Sequence, residues 1–185
     1  MNGCQENNFY QYDINKDNII TSICQDFLRF AEQNDYLLKE ARILNSPLFD
    51  FIEGDDTRYM NSVLINRVRE TKIQLTVPFR CDSQDHRRYM EMSIIPLEDD
   101  GLRFKNFLVK SEKKQDIVLS NLDTHKSIDV ISMCSWCNRF KVTNTQWEEA
   151  DIAVRELGLF GDNDRKRITH GICQTCSELI MTAEG

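Results

Sequence analysis

Residues 73–110 read IQLTVPFRCDSQDHRRYMEMSIIPLEDDGLRFKNFLVK, and this stretch contains three strand patterns in succession. Apolar residues alternate with other types over 73–81 and over 87–95, and a further apolar segment follows over 102–110. Alternation with a period of two indicates strands that bury one face. Asp99-Asp100-Gly101, between the last two segments, has the composition of a hairpin turn. The stretch therefore predicts three strands, the last two joined by a tight turn.

Pro78 lies inside the first of these strands. Proline has no N–H to donate to a strand ladder, so we expect this strand to lie at a sheet edge or to carry a bulge.

The residues before this stretch predict two more strands and two helices. FYQYDI (9–14) and IITSIC (19–24) flank the turn composition NKDN, which predicts a hairpin. QDFLRFAEQN (25–34) predicts a short helix, and Asp55-Asp56 are the expected N-caps of a longer helix over 57–71. The apolar stripe of that helix is predicted to comprise Tyr59, Met60, Val63, Leu64 and Val68. Two strands, helices and three closing strands predict an α+β domain, a five-stranded antiparallel sheet with helices on one face.

Composition limits the class of protein. The 185 residues include 41% hydrophobic and 29% charged residues, as in globular chains, and the formal net charge is −7. This negative balance argues against nucleic acid and anionic membrane as partners. The sequence has no apolar run of membrane-spanning length, and its polar N-terminus predicts no signal peptide, so we expect a cytoplasmic protein. The sequence contains no phosphate loop or hydrolase motif, which predicts a protein that is not an enzyme.

Two C-x-x-C pairs stand in the last third of the chain, Cys134-Ser-Trp-Cys137 and Cys173-Gln-Thr-Cys176, separated by 35 residues. In a reducing compartment such cysteines are more often metal ligands or redox groups than disulfides. Each pair places two thiolates on one side of a tight turn, and two such turns complete a tetrahedral Cys₄ zinc site. Zinc would be a structural cofactor here, because so short a tail has too little core to fold alone.

His170 leaves the ligand count open. It precedes Cys173 by three residues and could replace one cysteine, or it could pack beside the site and donate a hydrogen bond to a thiolate. Trp136 either covers the site or is an ordinary core residue. Between the pairs, Thr145 and Glu148 have the spacing of a capping box, which predicts a helix that ends near Gly158.

Several local stretches resemble a group of bacterial PAS-like sensory proteins. They are Phe30-Ala31 with Asn34, SPLFDFI (46–52), PFRCDS (78–83), RRYM (87–90), and the Cys-x-Trp-Cys and His-Gly-Ile-Cys-x-x-Cys segments. The resemblance implies a PAS-like domain over 1–112 followed by a cysteine-containing tail. The polar composition after that domain predicts a linker over 113–130, and the cysteine spacing predicts a zinc-binding Cys₄-type tail over 131–185. The resemblance also implies signal sensing or dimerisation as a homodimer, with a signalling protein as a further partner. The ligand of the PAS pocket stays unidentified.

Two other functions remain open beside a non-catalytic signalling module. The same thiolates could form a redox or zinc-release sensor, which requires access for an oxidant. A thiol oxidoreductase is the third option, but a redox C-x-x-C usually opens a helix after a strand, whereas NRFKVTN after Cys137 looks extended.

Three further groups of residues are interpreted as structural. The basic triplet 165–167 is expected to be a solvated loop. A cluster of charged residues at the predicted turn is expected to form a hairpin end, with pairing among its members or the lining of a pocket as alternatives: Asp82, Asp85, His86, Arg87 and Arg88. Cys81 is expected to be a buried and unreactive thiol.

Overall fold

The structure, a computed structural model, describes residues 9–32, 40–83, 85–114, 130–157 and 167–183. The first sheet contains β1 (Phe9–Ile14), β2 (Ile20–Ile23), β3 (Leu75–Arg80), β4 (His86–Pro96) and β5 (Leu102–Lys113). The second sheet contains β6 (Val130–Cys134), β7 (Phe140–Lys141), β8 (Trp147–Glu148) and β9 (Arg167–Gly171). The helices are α1 (Gln25–Glu32), α2 (Glu40–Ile43), α3 (Asp55–Thr71), α4 (Ala150–Leu157) and α5 (Gln174–Thr182). A 3₁₀ turn covers Leu48–Phe51.

The first sheet has the strand order β2-β1-β5-β4-β3, and its neighbouring strands are antiparallel. This confirms the predicted α+β fold with a five-stranded sheet. β3 is an end strand, as Pro78 required. Strands β3, β4 and β5 bury the side chains of one face, which include Leu75, Val77, Met90, Met92, Ile94, Leu102 and Phe104.

The turn between β4 and β5 is where the sequence placed it. Asp99 and Asp100 both have positive φ, at 52° and 58°, a conformation that aspartate tolerates better than most residues. Leu97 donates its N–H to the carbonyl of Gly101 at 2.8 Å, which closes the turn.

Helix α3 lies on the inner side of the sheet, and two details of its prediction are wrong. It begins at Asp55 with Gly54 as the N-cap, so Asp55 and Asp56 lie in the first turn, where carboxylates favour the helix dipole without capping it. Tyr59 is 58% exposed and lies off the buried stripe. The buried positions follow helical spacing along one face: Thr57, Met60, Leu64, Ile65 and Val68.

The strand predicted over 73–81 is shorter than expected. Lys72 ends α3 in a left-handed conformation, and β3 begins only at Leu75. Ile73 lies between the two elements and is 55% exposed, so its assignment to the buried strand face is wrong. Cys81 follows the end of β3 and is half-buried.

The second sheet has the order β8-β7-β6-β9, with β6 and β9 parallel. The helix predicted between the two cysteine pairs is α4, but it begins at Ala150 rather than after Thr145. Trp147 and Glu148 instead pair with Lys141 and Phe140 as strand β8, so the capping-box prediction is wrong. Gly158 lies outside the described residues, as do Asn34, Arg165, Lys166 and most of the expected linker.

One hydrophobic cluster joins the first sheet, α3 and the C-terminal tail. Leu64 and Phe104 belong to it, and so do Trp136 and Ile180 from the tail. The cysteines of the two C-x-x-C pairs also pack in or against this cluster. No helix among the described residues is long and apolar enough to cross a membrane.

Candidate metal centre

Parallel pairing of β6 with β9 brings the two C-x-x-C turns to the same place. Cys134, the last residue of β6, lies opposite Gly171, the last residue of β9. Parallel strands end at the same edge of a sheet, so the turn after each strand leaves from one side. The second cysteine pair follows β9 directly, and the two turns therefore face each other.

The four sulfur atoms form a compact group. The Sγ atoms of Cys134, Cys137, Cys173 and Cys176 all lie within 4.8 Å of one another. The Sγ atoms of Cys137 and Cys173 are 3.8 Å apart, and all four cysteines are free thiols. Four thiolates around a tetrahedral ion with a Zn–S distance near 2.3 Å lie about 3.8 Å from one another. The residues present therefore fit a tetrathiolate metal site.

Backbone N–H groups point at two of these sulfurs. Cys173 donates its N–H to Cys134 Sγ at 3.4 Å, and Cys176 donates its N–H to Cys173 Sγ at 3.5 Å. Cys173 is the N-cap of α5, and Cys176 lies in the first turn of that helix. The positive end of the helix dipole stabilises thiolates at both positions.

Close packing of four thiols also forces their protons to be shared unequally. Hydrogen bonds from Cys137, Cys173 and Cys176 hold the pKa of Cys134 far below its usual value. Hydrogen bonds with the other three thiols raise the pKa of Cys176. A bound cation would supply the positive charge that four neighbouring thiolates need.

Trp136, between the two cysteines of the first pair, attaches this turn to the first sheet. Its indole Nε1–H donates to the carbonyl oxygen of Pro78 at 2.6 Å, and its ring lies edge-on to that of Phe79. Its own carbonyl accepts the N–H of Arg80 at 2.8 Å. Trp136 is 6% exposed, so it is a core residue that fastens the turn to the edge of β3.

An ion-pair network centred on Glu149 makes a second connection between the tail and the first sheet. Arg80 Nη1 donates to both carboxylate oxygens of Glu149, at 2.8 and 2.9 Å, and the same guanidinium pairs with Asp82. Arg87 and Arg139 also pair with Glu149. Burial alone would lower the pKa of Arg80, but the hydrogen bonds with Asp82 and Glu149 raise it above its usual value.

Helix α3 makes two further polar contacts with the tail. Thr57 in its first turn donates to Ser135 Oγ at 2.9 Å. Arg67 near its other end donates to the carbonyls of Ile180, Met181 and Ala183 at 3.2, 2.9 and 2.6 Å. Ile180 and Met181 lie in the last turn of α5 and Ala183 is its C-cap, where a helix leaves carbonyl acceptors without partners. The guanidinium of Arg67 therefore caps α5.

His170 lies on β9 beside α3. Its Nδ1 is 3.4 Å from Glu53 Oε2, and its backbone carbonyl would lie 3.0 Å from a Cβ added at Gly54. The group of ligand atoms that lie close together consists of the four cysteines.

The charged turn after β3 lines a cavity of about 940 Å³ together with residues of the tail; Asp82, Arg87, Glu149 and Asp151 are among its lining residues. Asp85 pairs with His86, and Arg87 also pairs with Asp151 of α4. Burial raises the pKa of the Cys81 thiol. Arg167, the described member of the basic triplet, is exposed at the start of β9.

Sequence reasoning missed the residues that attach the tail. Glu149 and Arg67 carry no local pattern that separates them from solvated charges on helices. Their roles depend on partners 69 and 113 or more positions away. The charged turn after β3 was recognised, but its partners in the tail were not.

Comparison with known proteins gives structural neighbours only. No protein-family model and no curated protein matches the chain. The structure is similar to the PAS domain of nitrogen regulation protein NR(II) from Vibrio parahaemolyticus, with 12% identity and a TM-score of 0.37. That match covers 55% of this chain and 89% of the other. A PAS domain from a two-component sensor histidine kinase is also similar, with 17% identity, a TM-score of 0.37, and coverage of 59% and 87%.

Proposed function

We propose that this protein is a non-catalytic signalling module whose C-terminal tail binds one structural zinc ion through Cys134, Cys137, Cys173 and Cys176. The observation that carries the metal assignment is the approach of four free thiols to within 4.8 Å of one another. Four protein ligands close a tetrahedral site and leave no position for water or substrate, which is typical of structural zinc. His170 is proposed to lie beside the site without binding the metal, and its Nδ1 lies 3.4 Å from Glu53 Oε2.

Measurement of metal content tests this site. The full chain, purified without added metal, is analysed by inductively coupled plasma mass spectrometry beside Cys134→Ser and Cys24→Ser. Cys24 is a matched control because its thiol lies outside the four-cysteine group. We expect about one zinc per chain in the parent and in Cys24→Ser, and loss of zinc in Cys134→Ser.

Other metal results have defined meanings. A chain without metal, or zinc that survives Cys134→Ser, contradicts the site. Iron in place of zinc contradicts the choice of metal and keeps the ligand set, because tetrahedral thiolate sites also suit iron.

The signalling assignment rests on the resemblance to PAS-like proteins and on the observed strand order β2-β1-β5-β4-β3 with the Pro78 strand at the edge. In this proposal residues 1–112 form the sensory or dimerising domain, 113–130 a linker and 131–185 the zinc tail. The protein acts in the cytoplasm as a homodimer with a signalling protein as its partner. Nucleic acid and membrane are not its targets.

Dimerisation through the sheet is tested by light scattering after gel filtration. Phe107 is 37% exposed on β5 and contacts Phe9 with a ring separation of 5.5 Å. We expect a dimer in the parent and a monomer in Phe107→Lys. Tyr59→Lys, at an exposed site on α3, is the control and should stay dimeric. A monomeric parent contradicts the homodimer.

A thiol-based zinc-release sensor is a second candidate, favoured by the exposure of one cysteine. Cys137 is half-buried whereas the other three cysteines are buried, so an oxidant reaches Cys137 first. Hydrogen peroxide would accept two electrons from the thiolates of Cys137 and Cys173 and two protons from solvent, so that its O–O bond breaks to give two water molecules, a Cys137–Cys173 disulfide forms and zinc is released. Titration with peroxide in the presence of a colorimetric zinc indicator tests this release. Zinc that stays bound at a peroxide concentration that fully oxidises a free thiol compound contradicts it.

A thiol oxidoreductase receives less support. The second pair does open a helix after a strand, as Cys173 and Cys176 begin α5 after β9. This is the context of redox pairs, but here both sulfurs also contact the first pair. We expect the parent chain to show no catalysed reduction of a model disulfide. Turnover in the parent that persists in Cys134→Ser would contradict this and would assign the activity to the second pair.

A further inference from the structure

The C-x-x-C turn that holds two of the four sulfurs also covers the free edge of β3. Pro78 and Arg80 direct their backbone groups away from β4, on the side where no other strand of the described residues pairs with β3. Both groups are satisfied by one residue, Trp136, through its indole N–H and its carbonyl. The carbonyl of Pro78 and the N–H of Arg80 therefore depend on a residue that lies between two candidate metal ligands.

The conformation of this turn is set by the sulfur cluster and by β9. Asn138 donates its N–H to the carbonyl of Cys134 at 2.8 Å, which closes the turn. Ser135 donates to the carbonyl of Gly171 at 2.9 Å, next to the second cysteine pair. Trp136 has a candidate metal ligand on each side within two positions, so the positions of Cys134 and Cys137 help to determine where its indole and carbonyl lie.

We propose that the metal centre acts as a removable cover for the edge of β3, held closed by the bound ion and opened by its loss. This inference rests on the proposed zinc site and concerns what that site controls. Without the ion, the four thiols lose the metal–sulfur bonds that orient the turn. Trp136 is then released from Pro78 and Arg80. The ladder between β3 and β4 uses the opposite side of the strand and stays intact.

The backbone N–H groups of Arg80 and Cys81 point to opposite sides of the chain. The N–H of Arg80 is bonded to Trp136 in the tail, whereas the N–H of Cys81 is bonded to the carbonyl of Arg88 at 3.0 Å. Release of the turn removes the first bond and leaves the second. Cys81 is thus an internal control one residue away from the reporter.

Residue-resolved hydrogen exchange by NMR on the full chain tests the proposal, with zinc content measured on the same samples. After zinc removal by a chelator, we expect exchange of the Arg80 amide to accelerate at least tenfold, with that of Cys81 changed less than threefold. The Cys137→Ser variant should reproduce the chelated state, and Cys24→Ser should match the zinc-loaded parent.

Each other result overturns the proposal. Equal protection of Arg80 with and without zinc shows that the edge stays covered, while the zinc site itself stands. Loss of protection at both Arg80 and Cys81 shows that the ion holds the whole sheet rather than its edge. A sample that never contained metal removes the proposed site and this inference together.

Discussion

The indole nitrogen of Trp136 lies 2.6 Å from the carbonyl oxygen of Pro78, a residue 58 positions earlier in the chain. Proline has no N–H to offer at a strand edge, and here its own carbonyl accepts a hydrogen bond from a side chain of the tail. This hydrogen bond joins the candidate metal centre to the first sheet.

Replacement of Trp136 by phenylalanine tests the strength of this connection. Trp136→Phe keeps an aromatic ring near Phe79 but removes the indole N–H, so the Pro78 carbonyl loses its donor in a nearly buried place. We expect the free energy of unfolding to fall by about 1–3 kcal/mol. Urea titration followed by circular dichroism measures it. Trp147→Phe, at the half-buried strand β8, is the control, and an equal loss there contradicts the assigned role of Trp136.

Gly54 is predicted to resist substitution by alanine. Its φ of 84° disfavours any residue with a side chain, and an added Cβ would lie 3.0 Å from the carbonyl oxygen of His170. We expect Gly54→Ala to destabilise the protein by about 1–3 kcal/mol. Gly171→Ala is the control, because its added Cβ meets only Asp56 Oδ2 at an ordinary 3.6 Å. Thermal melts that show the reverse order of the two variants would refute this account.

Arg67 should stabilise the docked position of α5. Arg67→Met keeps the aliphatic stem and removes donors to three carbonyls, and we expect a loss of about 1.5–3 kcal/mol. Arg155→Met on α4 is the control, since Arg155 is exposed and bonds within its own helix. Hydrogen exchange of the α5 amides should rise in Arg67→Met and stay unchanged in Arg155→Met. Unchanged α5 exchange in Arg67→Met argues against its capping role.

The network around Glu149 should be sensitive to charge. Glu149→Gln leaves Arg80 with one charged partner, Asp82, although the side chain of Arg80 is only 9% exposed. We expect a loss of about 1–3 kcal/mol, less than for a fully buried pair because Glu149 is partly solvated. Glu148→Gln, one position earlier, is the matched control. Chemical denaturation in urea at low and high salt measures the difference, and equal losses in both variants contradict a specific network.

Cys81 should react slowly with alkylating reagents. Burial raises its thiol pKa, so a smaller fraction is thiolate at neutral pH than in an unfolded chain, and this fraction grows as the pH rises. Iodoacetamide labelling of the folded protein, quantified by peptide mass spectrometry, should give a rate at least tenfold below that of the urea-unfolded chain. Similar rates in the two states would show that Cys81 is neither buried nor perturbed.

The first sheet was predictable from local patterns because its strands bury one face. Alternation placed β3 and β4, and Pro78 identified the edge strand before any pairing was known. The prediction failed where a residue fits the pattern of a strand but lies outside it in the structure. Ile73 continues the alternation of β3, but Lys72 ends α3 so close to it that the strand begins later.

The tail was less predictable because its elements are short and depend on one another. Trp147 and Glu148 were interpreted as part of a helix start, and pairing with β7 makes them a two-residue strand instead. The cysteine spacing indicated that four sulfurs would meet. It carried no information on parallel pairing of β6 with β9, which is the interaction that brings them together.

A metal ion at the proposed tetrathiolate site would close a loop between Cys137 and Cys173, which lie 36 positions apart, as the chain folds. The entropy lost in closing such a loop grows only with the logarithm of its length, by about 0.6 kcal/mol for each doubling. Exposed residues of the turn before β8, such as Asn144, could thus receive a flexible insert at little thermodynamic expense. The segment between the two cysteine pairs is therefore a place where the length of this protein can change while the ends of the loop stay fixed.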